Sequence, residues 1–379
     1  MLHFDAHIRQ VNKDGQAVCG DCVVQFTSKD SYYFGIFDGM GSGVYANLAA
    51  ISLGSRWRQM IREGISISEA CETIASNMAR ARNERIPFTA FSTAMITRNG
   101  TALLYTYEAP SPIICRGNTF HVAKPHFYTA GYEILGETQL DLDRGDALLL
   151  YSDGVSQAGL GRAYTLGWGA EGVSDLMQQQ WTGDNIDATL DAVMDRCHAL
   201  SGDGFEDDTT LVMIHAVPAR HLSLFSGPPD HRERDPEFAE AFRNAEGIRI
   251  ICGSSTSGLL ARELKVPLRI ISEGDGLQSP PQYAMKGADL VTEGALALNQ
   301  VANLMTADRE ELTGDTPPEQ LARHLFDADV IDIYEGTAKN EAHRMLLFRQ
   351  LGIRPRRESL RMIEQSLEKM GKMVHYHSF

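Results

Sequence analysis

Four short stretches of this chain bound apolar, strand-like runs with aspartate. They are Gly20-Asp21, Phe37-Asp38-Gly39-Met40-Gly41-Ser42-Gly43, Tyr151-Ser152-Asp153-Gly154 and Asp207-Asp208-Thr209-Thr210. Where Asp-Gly closes an apolar strand, the carboxylate projects from the strand's end and the glycine lets the backbone turn sharply and approach a ligand. A single such pair marks an ordinary turn. Several that converge constrain the fold strongly, because two unit charges about 4 Å apart repel by ~4 kcal/mol at an effective dielectric of 20. A cluster of this kind is stable only when protons or cations neutralise it. All-oxygen donors favour Mg2+ or Mn2+ over zinc. A pair of such cations lowers the pKa of a water held between them and neutralises phosphoryl oxygens, so a phosphate ester can be hydrolysed without a protein nucleophile. Spacing alone does not establish convergence, and for Asp38 and Asp153 the turn reading and the cation reading both stay open.

The elements around these aspartates read as α+β with antiparallel sheets. Residues 23–26 and 32–37 form a hairpin, followed by a helix over 43–62 with Val44, Leu48, Ile51 and Trp57 at near-helical spacing. A second helix spans 68–82, capped by Ser68, with Cys71, Ile74, Met78 and Ala81 on one face. Strands follow at 92–97, 102–107 and 113–116, with Asn99-Gly100 as a turn between the first two. The apolar run 146–152 reads as a buried strand, residues 186–197 as a helix and 209–215 as a last strand. Consecutive strands with paired helices point to a sandwich rather than a doubly wound sheet.

The chain has 379 residues, enough for two domains. Residues 1–217 form the first, 218–236 a linker containing Pro228-Pro229 and a charged run, and 237–379 a smaller α/β domain. The stretch 340–372 reads as mostly helical with a break at Pro355, and Arg354, Arg356, Arg357 and Arg361 as a solvated face. With 35 Lys+Arg against 50 Asp+Glu the net charge is −15, which disfavours nucleic acid and anionic lipid as partners. The N-terminus shows no signal-peptide pattern and no apolar stretch is long enough to span a bilayer, so a cytoplasmic protein without membrane contact is expected. Cys19-Gly20-Asp21-Cys22 lacks the second ligand pair of a zinc site.

The loop Gly253-Ser254-Ser255-Thr256-Ser257-Gly258 matches only the first half of a P-loop, since Leu259 and Leu260 replace Lys and Ser/Thr. It is a candidate ligand loop through its N–H groups, with a plain strand-to-helix turn as the alternative. Glu293, after a strand-like run, is either a second strand-end site or a capping group. No cysteine has an arginine six positions on, which argues against cysteine-based phosphate chemistry.

The motifs around Asp38, Asp153 and Asp207-Asp208-Thr209-Thr210-Leu211-Val212, in this order and spacing, resemble the signature blocks of the PPM phosphatases. The bacterial branch typified by the sporulation phosphatase SpoIIE is the most similar, over about residues 3–217. The resemblance implies a β-sandwich flanked by helices with two Mn2+ or Mg2+ ions at one edge. Asp38 would bridge both ions, with the Gly39 carbonyl on one of them. Asp153 and Asp207 would hold the second, with Asp208 as the alternative to Asp207. Asp21 would act catalytically by supporting the attacking water, or ligate directly. The branch's Asn-Ala-Gly-His-Pro-Pro-like turn is replaced here by Tyr107-Glu108-Ala109-Pro110-Ser111-Pro112. The implied activity is a protein serine/threonine phosphatase in bacterial signalling, acting on a phosphorylated regulatory protein such as an anti-sigma-factor antagonist, with a homodimer left open. The alternative is a degenerate phosphatase fold serving as a binding or signalling module.

Overall fold

The computed structural model describes residues 1–83, 88–183, 185–274, 280–338 and 352–379. The chain divides into two units, Met1–Pro218 and Ala219–Phe379.

In the first unit, β1 (Leu2–Val11), β2 (Asp21–Thr27) and β3 (Ser31–Gly39) precede two helices, α1 (Val44–Arg62) and α2 (Ile67–Asn83). Six strands follow: β4 (Thr89–Thr97), β5 (Thr101–Tyr107), β6 (Ile113–Arg116), β7 (Thr119–Val122), β8 (His126–Ala130) and β9 (Glu133–Asp141). Then come β10 (Ala147–Tyr151), a helical turn α3 (Asp153–Ser156), α4 (Gly169–Gln180), α5 (Ile186–Leu200) and β11 (Thr209–Pro218). They form two antiparallel sheets, ordered β1-β11-β10-β6-β7 and β2-β3-β4-β5-β9-β8.

The continuous apolar run of β10 has a direct cause, because its two faces meet two different cores. Leu148 and Leu150 join Phe34, Ile36, Leu104, Val212 and Ile214 between the sheets. Leu149 and Tyr151 face outward, onto Val173 and Met177 of α4 and Leu190 and Val193 of α5. The six-stranded sheet is likewise covered by α1 and α2, where Trp57 and Ile74 meet Phe37 and Phe91. The unit is therefore the helix-flanked antiparallel sandwich that the sequence suggested.

Two local expectations change. The stripe Val44, Leu48 and Ile51 on α1 is solvent-exposed, and the buried face is Ala46, Ala50, Leu53, Gly54, Trp57 and Ile61. Small residues let this helix lie close to its sheet: a Cβ on Gly54 would stand 2.7 Å from Val24 and 3.0 Å from Phe37. The N-terminal end of α2 is held by Ser66, whose hydroxyl accepts the Glu69 N–H, rather than by Ser68. Of the face predicted for α2, Cys71 and Ile74 are buried and Met78 packs beside them, while the side chain of Ala81 lies outside the described residues.

The second unit alternates strands and helices: β12 (His221–Ser226), α6 (Asp235–Asn244), β13 (Ile248–Cys252), α7 (Ser254–Leu264), β14 (Leu268–Ser272), β15 (Gln282–Met285) and β16 (Leu290–Thr292). It continues with α8 (Ala295–Leu304), α9 (Pro317–Asp327), β17 (Val330–Glu335), α10 (Arg356–Lys369) and β18 (Met373–Ser378). One sheet runs β14-β15-β16-β13-β12-β17-β18; the five strands from β16 to β18 are parallel, and β14 and β15 antiparallel. Phe238, Phe242, Leu259 and Leu260 of α6 and α7 cover one face. Leu298, Val301, Leu321, Leu325, Leu360 and Ile363 of α8, α9 and α10 cover the other.

Residues 218–236 are not simply a linker. They contain β12, an inner strand whose Leu222, Leu224 and Phe225 are fully buried. The prolines and charges that suggested a linker lie after that strand. The tail arginines do not form one solvated face. Arg356 is half-buried, its guanidinium against Gly227 and its Nη2 donating to the Gly336 carbonyl. Arg354 donates to Asn299 and Asn303. The part of the predicted helix at 340–351 lies outside the described residues.

Candidate active site

The carboxylates of the first unit gather because its two sheets end together. Asp21 opens β2 and Asp38 stands next to last in β3, and the two are register partners across the strand pair. Asp153 follows β10 after the single residue Ser152, and Asp207 and Asp208 directly precede β11, the antiparallel neighbour of β10. Asp38 and Asp153 share a hydrogen bond across the sheet ends. Burial, then the charges of Asp21 and Asp153, push the Asp38 carboxyl well above its ordinary range. Burial also raises Asp153, Asp21 and Asp207, and Asp207 is raised further by the charge of Asp153.

The supporting contacts are local and specific. Thr210 Oγ1 donates to Asp21 Oδ2 at 2.6 Å, while Gln10 Nε2 reaches both the Asp21 carbonyl and Thr210 Oγ1. Gln157, one helical turn beyond Asp153, donates to its Oδ2 at 2.8 Å. The Asp208 N–H donates to Asp207 Oδ1 at 2.9 Å. Asp208 itself is buried, and its Oδ1 accepts the Lys13 N–H at 3.0 Å. A Cβ on Gly20 would lie 2.7 Å from Asp208 Oδ2, and one on Gly39 only 2.1 Å from the Ala46 carbonyl oxygen, so both glycines mark close approaches. Beside Asp207 opens a pocket of about 150 Å3 lined by Gly154, Gln157, Ala158, Leu160, Ser201 and Glu206.

Among the described residues, no set of three or more His, Cys, Asp or Glu is already posed to hold a metal ion. The donor chemistry nevertheless fits divalent cations. The donors are carboxylates raised by burial and mutual repulsion, and Asp21 Oδ1 and Asp208 Oδ2 are buried without a hydrogen-bond partner.

All five predicted aspartates thus come together. Asp207 faces Asp153, whereas Asp208 lies on the side of Asp21 and Gly20. Sequence reasoning did not assign Thr210, Gln157, Gln10 or Lys13. Gln157 carried a signal in its i+4 spacing from Asp153, whereas Thr210 and Gln10 needed the register Gln10↔Thr210 of β1 and β11. Arg9 is engaged by Asp187 and Asp191 on α5. Cys19 and Cys22 are free thiols, and burial pushes Cys19 up to about 12.

In the second unit, Gly253 precedes α7 with φ 124°. Ser254 and Ser255 are exposed, but Thr256 and Ser257 are buried with their hydroxyls engaged by the protein. Glu293 caps α8 by accepting the Leu296 N–H, the simpler of its two readings.

A helix-flanked antiparallel sandwich with acidic side chains at its sheet ends defines a PP2C-like phosphatase fold, and a solved structure shares it. The PP2C phosphatase domain with a fragment of the regulatory domain of SpoIIE from Bacillus subtilis is 19% identical, with a TM-score of 0.50, over 57% of this chain and 64% of that one. The RsbU and RsbW domains of Rv1364c from Mycobacterium tuberculosis are 17% identical, with a TM-score of 0.49, over 63% of this chain and 67% of that one. No curated protein matches. The family described as stage II sporulation protein E (SpoIIE) matches residues 28–217, and the chain belongs to that family. Among the described residues no helix is long and apolar enough to cross a membrane.

Proposed function

We propose that the chain hydrolyses phosphoserine or phosphothreonine on a bacterial regulatory protein, using two Mn2+ or Mg2+ ions held by the first unit. The observation that carries this reading is the Asp38–Asp153 contact, which joins the ends of two separate sheets. Asp38, the Gly39 carbonyl, Asp153 and Asp207 would hold the ions. When bound, the cations supply an activated water and neutralise phosphoryl charge. The chain's own groups do the rest. Thr210 holds the Asp21 carboxylate, which would support the attacking water or ligate a cation directly. Gln157 fixes Asp153, and the Lys13 charge favours the ionised form of Asp207.

The second unit is proposed to select the partner or sense a ligand. Its parallel strands carry the loop Gly253–Ser257 at their carboxyl ends, where open α/β sheets bind ligands. An anti-sigma-factor antagonist is a suitable substrate class, and the site of action would be the cytoplasm.

The test is hydrolysis of a phosphoserine peptide by chelator-treated full chain. Activity should require added Mn2+ or Mg2+ and fall at least ~100-fold in Asp38→Asn, the scale of misplacing a reacting group by an ångström. Activity without divalent metal, or unchanged in Asp38→Asn, would contradict the reading.

A further inference from the structure

The sheet of the second unit ends in β14, and this edge is built unlike the rest of the unit's surface. Val266 and Leu268 still pack against the core that α6 and α7 cover. Beyond them Arg269, Ile270, Ile271, Ser272 and the following Glu273 are all exposed. Ile270 is 63% and Ile271 60% exposed. Among the described residues of this unit, Met370 is the one other large apolar side chain left in solvent, at 39%. β14 pairs with β15 on one side, and no described strand meets the N–H and C=O groups of its other side. Such an edge is a template for a further strand, and natural sheets ordinarily blunt it with charges, proline or a bulge. The β14–β15 register does shift between Ile270 and Ser272, but the residue left over is Ile271, an apolar one.

We infer that β14 is the edge through which two copies of this chain pair, antiparallel about a two-fold axis at Ile271. A two-fold contact uses the same patch on both copies, so a strand that serves it must be complementary to itself. In this register Ile271 of each copy stands opposite Ile271 of the other, Ile270 opposite Ser272, and Arg269 opposite Glu273. The charges therefore match, and each Arg-to-Glu pair forms twice. Neither Arg269 nor Glu273 forms an ion pair with another described residue of its own chain, so both are available to the second copy. Sliding the pair by one residue would set Arg269 against Ser272 or Gly274 and lose both contacts. The opposite edge, β18, offers less, because its His375 and His377 are already bonded to Asp332. A contact of β14 with β18 would also leave a bare edge at each end and grow without limit, whereas the two-fold pair closes. A strand of five residues covers less than the ~1,000 Å2 expected of a stable interface, so the dimer is weak and concentration-dependent. The pairing goes beyond the phosphatase reading and does not depend on it.

Sedimentation velocity of the full chain at rising concentration tests this, together with hydrogen exchange over residues 268–273. A monomer–dimer equilibrium is expected, with exchange in that segment slowing as the dimer fills. Arg269→Glu and Glu273→Arg should each raise the dissociation constant at least ~10-fold, because two cross-strand ion pairs give way to two like-charge contacts. The double variant, with both charges exchanged, should return to within about threefold of the natural chain, since the two sites act as a pair. Ile271→Lys, which places a charge on the edge, should abolish the slowed exchange. A chain still monomeric at ~1 mM, open-ended association, exchange over 268–273 that ignores concentration, or a double variant as weak as the single ones would each overturn the inference.

Discussion

Asp21 and Asp38 face each other in register across β2 and β3, where a pair of like charges is ordinarily unfavourable. Thr210 donates to Asp21, and burial with the neighbouring carboxylates raises the Asp38 pKa, which disfavours its charged form. The glycines around the cluster set how near the walls come. Replacing Gly39 with alanine would place a Cβ 2.1 Å from the Ala46 carbonyl and force α1 away from β3. Gly39→Ala is therefore expected to cost about 1–3 kcal/mol of stability and to reduce metal-dependent hydrolysis, read by denaturant unfolding alongside the peptide assay. At this scale the sequence was informative where chemistry is local. Asp38 and Asp153 announce themselves by closing apolar strands before glycine. Thr210 did not, because its role exists only when β11 brings it to Asp21, 189 positions away in the chain.

The helix α1 shows what periodicity conveys and what it leaves open. Its existence was legible, but the stripe of Val44, Leu48 and Ile51 is outside, and the contact with the sheet uses Ala46, Ala50 and Gly54. Close approach favours small side chains over apolar bulk, and hydrophobicity alone does not rank them that way. Trp57 is the exception, fully buried with Phe26, Tyr33 and Phe37 around it. Trp57→Ala should destabilise the first unit by about 3–5 kcal/mol, measured by urea unfolding. The strand β1 places Phe4 in the core between the sheets with Leu2, Ala6 and Ile8 packed against it, and His7 and Arg9 against Asp187 of α5, a period-2 pattern present in the sequence but not drawn from it. On α9, burial lowers the His324 pKa below its ordinary value. The folded state then favours the neutral ring, so its contribution is complete above about pH 6.5 and is lost as pH falls from there through the folded pKa. Unfolding midpoints at pH 7.5 and 5.5 should differ less in His324→Gln than in the natural chain.

Across the whole molecule, each unit has its own buried core and its own sheet logic, antiparallel in the first and mostly parallel in the second. The first was legible because its motifs recur in a fixed order. The second was legible only as α/β, since β12 is six residues long and sits between the unit boundary and a Pro-Pro pair. The central proposal concerns the first unit alone: its aspartates would hold divalent cations. Calorimetric titration of Mn2+ into the chelator-treated full chain tests it most directly. Two ions per chain are expected, with fewer and weaker sites in Asp38→Asn. The same stoichiometry and affinity in Asp38→Asn as in the natural chain would contradict the account.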